Sequence, residues 1–110
     1  MKTATPRAAQ PRTGLPPVHP GEILREDVIP ALGKPISEIA DLLQVTRQTL
    51  HGILAERVAI SPTMAAKLGK LCGNGPEIWL NLQRRYDLAT LPADVQAAIE
   101  RIPTLEAVEG

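Results

Sequence analysis

Proline and glycine cut this chain into pieces of a length suited only to small helices and turns. From Val18 onward, Pro20, Pro30, Gly33, Pro35, Pro62, Gly73, Gly75, Pro76, Pro92 and Pro103 bound a series of short amphipathic segments. No stretch of β-branched or aromatic residues alternates long enough to specify a sheet. The expected class is all-α.

The segments carry recognisable start and stop signals. Pro20 suits the first turn of a helix in which Ile23, Leu24 and Val28 recur at helical spacing, with Pro30 and Gly33 ending it. Pro35 opens a second, in which Ile36, Ile39, Ala40 and Leu43 share a face and Glu38 suits the positive N-terminal end. After a turn at Gln44 and Val45, Thr46 is placed to cap a third, with Leu50, Ile53 and Leu54 inward and Arg47, Gln48 and His51 outward. Ser61 followed by Pro62 starts a fourth through Met64, Ala65, Leu68 and Leu71, which Gly73 stops. Pro76 opens a fifth with Ile78, Trp79, Leu82 and Tyr86 as its stripe. Pro92 opens a sixth, short and C-terminal, whose Val95, Ala98, Ile99 and Ile102 need a partner surface. No internal repeat of 20 to 50 residues is evident.

The 110 residues divide into an arm over 1–17, a helical domain over 18–89 and a tail over 90–110. Pro6, Pro11, Pro16 and Pro17 and few large apolar groups make the arm a flexible segment. It carries Lys2, Arg7 and Arg12 without an acid. The tail sets Arg101 against Asp94, Glu100, Glu106 and Glu109, so it is acidic. The 12 basic residues balance the 12 acidic ones, so any contact with DNA must come from local geometry rather than net charge. No apolar run reaches the roughly 20 residues of a membrane helix, and residues 1–10 lack the apolar core of a secretion signal, so a cytoplasmic protein without a membrane partner is expected. One cysteine, Cys72, and two histidines, His19 and His51, leave neither an internal disulfide nor a zinc-ligand set, and no cofactor is expected.

Residues 36–54, ISEIADLLQVTRQTLHGIL, have the spacing of two short helices joined by a tight turn, with small Ala40 where they must cross closely. Such a hairpin is also a plain corner of a helical bundle. What favours a role on DNA is the outward cluster Thr46, Arg47, Gln48, Thr49 and His51, whose side chains suit phosphates and base edges in a major groove. Gln44 stands where such a turn normally has glycine, at a cost of roughly 1 kcal/mol if the backbone is left-handed there. Gly52, inside the third helix, either allows close approach to a DNA backbone or is simply tolerated.

Catalytic readings are weaker. His19, Glu22 and Glu26 fall at spacings of three and four, as a metal or acid–base site would need, but Pro20 makes His19 a residue before the helix, and a capping or turn role fits it better. Cys72 follows an apolar face and reads as a buried thiol, while Trp79 and Tyr86 read as core rather than base-stacking aromatics.

Three stretches, VHPGEILRED at 18–27, IADLLQVTRQTLHGIL at 39–54 and ISPTMAAKLGKLCGNGPEIWLNLQRRYDL at 60–88, together resemble the HigA-type antitoxins of the Xre-like helix-turn-helix group. The second stretch is generic, whereas HPGEIL and PEIWLNLQRRYDL are specific to the subfamily. The resemblance spans roughly Val18 to Leu88 and leaves out the arm and the tail. It implies a five-helix, lambda-repressor-like domain that is not an enzyme. It further implies a homodimer that binds double-stranded operator DNA, represses its own operon and neutralises a HigB-like, mRNA-cleaving ribonuclease toxin. Carried over by position, Thr46, Arg47, Gln48, Thr49 and His51 match DNA-reading positions, and Lys34, Ser37 and Arg57 match phosphate contacts. Gln44 departs from the family's glycine, and Ala55-Glu56 from its common Asn-Gly.

Two other functions fit the same residues: a stand-alone Xre-type regulator without a toxin, and an interaction module that has lost DNA binding. The candidate dimer surfaces are the Leu82 and Tyr86 face of the fifth helix and the apolar stripe of the sixth. A basic ribonuclease partner would be met by Glu22, Glu26 and Asp27 on the first helix, with the acidic tail as the alternative.

Overall fold

The computed structural model describes residues 17–106, and these form six helices and no strand. The arm expected over 1–17 lies outside the described residues except for Pro17, as does the end of the tail, residues 107–110. Helix α1 consists of three continuous stretches, Pro20–Ile23, a π-helical Leu24–Val28, and Ile29–Leu32. It is followed by α2 (Ile36–Leu43), α3 (Arg47–Leu54), α4 (Pro62–Cys72), α5 (Pro76–Ala89) and α6 (Ala93–Glu100).

The first helix departs from the expected stop at Pro30. A proline ring inside a regular helix clashes with the carbonyl four residues back and leaves it without a donor. Here the preceding turn is widened, with the Ile29 N–H bonding to the Leu24 carbonyl five residues back, and the chain winds on through Pro30. Gly33, the other stop expected, ends it in the left-handed region at φ 67°.

Most other boundaries follow their side chains. The Thr46 hydroxyl accepts from the Thr49 N–H at 3.0 Å to start α3, and Ser61 accepts from Met64 N–H at 3.1 Å to start α4. Gly73 closes α4 in the left-handed region, and Pro76 opens α5.

The core unites Leu24 of α1, Ile39, Ala40 and Leu43 of α2, Leu50, Ile53 and Leu54 of α3, Met64, Ala65 and Leu68 of α4, and Trp79 of α5. Each large aliphatic member contributes about 1.5–3 kcal/mol through burial. Ala40 is fully buried, as the close crossing of α2 and α3 requires. The stripe expected on α5 is rotated. Ile78 is 47% exposed, while Trp79 and Gln83 are buried and Tyr86 is half-buried. Gln83 is satisfied on both sides, accepting from the Ile60 N–H at 2.8 Å and donating to Asp87 at 2.9 Å. The Trp79 indole donates to Asn74 at 3.1 Å. On α6, Val95, Ala98 and Ile99 are all exposed, as is Ile102 just beyond it.

Candidate nucleic-acid interface

The HPGE sequence ties the start of α1 to the end of α3. His19 takes the N-cap position and its Nδ1 accepts from the Gly21 N–H at 2.8 Å. Gly21 sits where a β-carbon would overlap the backbone carbonyl of Ile53, so only glycine lets the first turn of α1 lie against the last turn of α3. Arg25, one turn later, donates to the Leu54 carbonyl at 2.6 Å and to the Glu56 carboxylate at 3.2 Å. A guanidinium on a C-terminal carbonyl both satisfies an orphan acceptor and meets the negative end of α3. The capping role expected for His19 is thus what the structure has, and its imidazole is committed to the fold. Among the described residues no group of three His, Cys, Asp or Glu side chains is arranged to hold a metal ion. Cys72 is half-buried, and burial pushes its thiol above the ordinary range, away from the reactive thiolate.

The turn between α2 and α3 is held from both sides. Gln44 is left-handed at φ 61° and ψ 43°, the conformation that glycine adopts without strain. The Val45 N–H closes on the Ala40 carbonyl at 3.0 Å, and Lys67 of α4 donates to the Gln44 carbonyl at 3.1 Å. The partly buried Val45 packs against the core.

This arrangement presents one polar face. Thr46, Arg47, Gln48, Thr49 and His51 are all exposed along the first turns of α3. Their roles differ. The Thr46 hydroxyl caps the helix and donates to the Thr49 hydroxyl at 2.9 Å, so both are oriented by the cap. Among the described residues no hydrogen bond or ion pair occupies the side chains of Arg47, Gln48 or His51, which leaves their donors and acceptors for a ligand. Ser37 is exposed in the first turn of α2, and Arg57 is exposed in the loop that follows α3. Lys34 is also exposed but pairs with Glu38 at 3.1 Å, four residues on, so its charge is partly answered within the chain.

Gly52 has neither of the roles expected for it. It is buried, and a β-carbon there would come within 2.6 Å of a Val58 methyl. The close approach it allows is that of its own chain. The loop doing so turns through Glu56, left-handed at φ 64°, and returns two N–H groups, of Arg57 and Val58, to the Gly52 carbonyl at 2.9 and 3.1 Å. Arg25, Lys67 and Val58 had no local signal, because each acts on a residue that only the tertiary fold brings near.

No protein-family model matches the chain. It is 43% identical over 72 residues to an uncharacterised helix-turn-helix-type transcriptional regulator of Haemophilus influenzae, covering 66% of this chain and 67% of the relative. It is 35% identical over 72 residues to antitoxin HigA-1 of Vibrio cholerae, covering 66% of this chain and 68% of that one. Among solved structures, Pseudomonas aeruginosa antitoxin HigA with the higBA promoter superposes with a TM-score of 0.74 at 35% identity, covering 82% of this chain and 99% of that one. With the helix-turn-helix, the capped polar face of α3 and these relatives together, the chain belongs to the HigA family of Xre-like helix-turn-helix antitoxins.

Proposed function

We propose that this protein is the antitoxin of a type II toxin–antitoxin module, a repressor that binds the operator of its own operon and neutralises a HigB-like ribonuclease. The observation that carries this is the capped face of α3, where exposed Arg47, Gln48 and His51 have no side-chain partner among the described residues, in a family whose P. aeruginosa member is solved with the higBA promoter. Arg47 suits guanine and Gln48 adenine in the major groove, each by two hydrogen bonds. Ser37, Lys34 and Arg57 flank that face and suit phosphates, with α2 adding its N-terminal dipole behind Ser37. A single short reading helix makes few base contacts, so we expect a homodimer that sets two such helices about 34 Å apart on half-sites.

We expect no catalytic activity of its own, and action in the cytoplasm where operator DNA is. No helix among the described residues is long and apolar enough to cross a membrane. Residues 18–89 would form the DNA-binding unit and 90–110 a separate acidic tail. The H. influenzae relative carries only the description of an uncharacterised transcriptional regulator, which supports a second reading, a stand-alone regulator. Co-expression with the adjacent gene product decides between them. Co-purification and growth rescue, together with binding to the DNA upstream of the gene, are the outcomes of an antitoxin. Promoter binding alone, with no captured toxin, leaves the regulator, and no binding to DNA sinks both.

A further inference from the structure

On α3, Gly52 follows Gln48 by four residues and Thr49 by three, so it lies on the same outward stripe as those two side chains. Glycine leaves a gap in that stripe, and Val58 fills it. The 2.6 Å separation between its methyl and a β-carbon built on Gly52 means that Val58 stands where residue 52 would otherwise present a side chain. Val58 is nonetheless 40% exposed. With Thr49 it also lines a groove of about 240 Å³ between α3 and the start of α4, whose floor is formed by Val45, Ile53 and Met64.

We infer that Val58, standing over Gly52 and sharing a groove with Thr49, is a base-reading residue that recognises the 5-methyl group of a thymine. This rests on the proposed operator binding through α3 and names a specificity element within it. The chemistry is selective because the thymine methyl is the one apolar group that base pairs present in the major groove. An exposed isopropyl group on a face otherwise made of hydroxyls, amide, guanidinium and imidazole has no other base-edge partner of its kind. The position is also firm enough to discriminate. The backbone N–H groups of Arg57 and Val58 both bond to the Gly52 carbonyl, and the Arg25 guanidinium joins the neighbouring Glu56 carboxylate to the Leu54 carbonyl. A methyl held from two sides gains more from a complementary surface than one on a mobile loop, because less freedom is lost on contact.

The test is a cycle between protein and DNA. Within the DNA upstream of the gene, each thymine of the protected site is replaced in turn by deoxyuridine, which removes the methyl and leaves the hydrogen-bonding edge unchanged. Binding of the parent and of Val58→Ala is measured at matched salt. One thymine in each half-site should weaken the parent about threefold to tenfold when its methyl is removed, and Val58→Ala should bind thymine and deoxyuridine there equally. If every deoxyuridine penalty is the same in both proteins, Val58 reads no base and merely covers Gly52. Should Val58→Ala lose its helical signal, Val58→Thr, which keeps the shape and replaces one methyl, takes its place with a reduced penalty expected. Loss of binding in Arg47→Ala without any coupling at Val58 overturns this assignment alone. A folded parent that binds no DNA overturns it together with the operator reading.

Discussion

The imidazole of His19 meets the phenol ring of Tyr86 edge-on, with centroids 4.9 Å apart and planes at 80°. The contact joins the start of α1 to the last turns of α5, while Nδ1 of the same ring caps α1 through the Gly21 N–H. A T-shaped aromatic pair and an N-cap are each worth about 1 kcal/mol, so a residue outside every helix ties two of them together.

That geometry makes stability depend on pH. The accepting Nδ1 needs a neutral ring, and burial lowers the His19 pKa from its ordinary value, with the carboxylates of Glu56 and Asp87 opposing the shift in part. In the unfolded chain the ring takes a proton as pH falls through about 6.5, before the folded protein does. Stability from this residue is therefore intact above that pH, declines as pH drops below it, and levels off once the folded ring is itself protonated. His19→Asn keeps a capping acceptor without a titrating ring. Its denaturation midpoint should fall less between pH 7 and pH 5 than the parent's, and an unchanged slope would show that His19 does not set it.

Gln44 occupies left-handed backbone at some cost, while its side chain is exposed. Gln44→Gly should raise stability by roughly 1 kcal/mol, because glycine enters that region without the β-carbon clash. The Lys67 bond to the backbone carbonyl survives the change. Urea denaturation measures it, and a lower midpoint in the variant would mean that the extra unfolded-state freedom of glycine outweighs the relieved strain.

Arg47→Ala and Gln48→Ala remove exposed side chains from α3, so helical signal and unfolding midpoint should stay near those of the parent. On operator DNA each should cost about 1–3 kcal/mol, the worth of a bidentate base contact. The comparison needs matched salt, since phosphate contacts alone shift affinity by orders of magnitude. If both variants bind as tightly as the parent, α3 does not read bases.

Helix boundaries were legible wherever one side chain decides them locally. Thr46, Ser61, Gly73 and Pro76 act within four residues of their own position, and a linear pattern contains that information. Pro30 does not end α1, because the widened turn that admits it is a response of the backbone, visible only once Leu24 is anchored in the core. The outward residues of α3 were readable from period alone. The parts that hold α3 in place were not, since Arg25 reaches Leu54 across 29 residues and Lys67 reaches Gln44 across 23. Gly52 shows the same limit, because its meaning lies in Val58, which approaches by way of a left-handed residue that is not glycine.

The tail offers the last test. Every residue of α6 is exposed, and the buried core ends at Trp79 and Gln83, so deletion of residues 90–110 should remove one helix and leave the remaining transition cooperative. On the proposed function, the toxin's basic surface has two acidic candidates to meet, Asp94, Glu100, Glu106 and Glu109 in the tail and Glu22, Glu26 and Asp27 on α1. In α1, Asp27 and Glu26 are exposed, and the Glu26 carboxylate lies 3.0 Å from Arg25, which also clamps α3. A partner binding there would touch the same residue that positions the reading helix, and the HPGEIL stretch that marks the subfamily lies in that helix. We therefore expect the truncated protein to retain toxin binding and growth rescue. Light scattering on the same sample separates a lost dimer, which would implicate Val95, Ile99 and Ile102, from a lost toxin contact. Complete loss of neutralisation by a folded, dimeric truncation would move the contact to the tail.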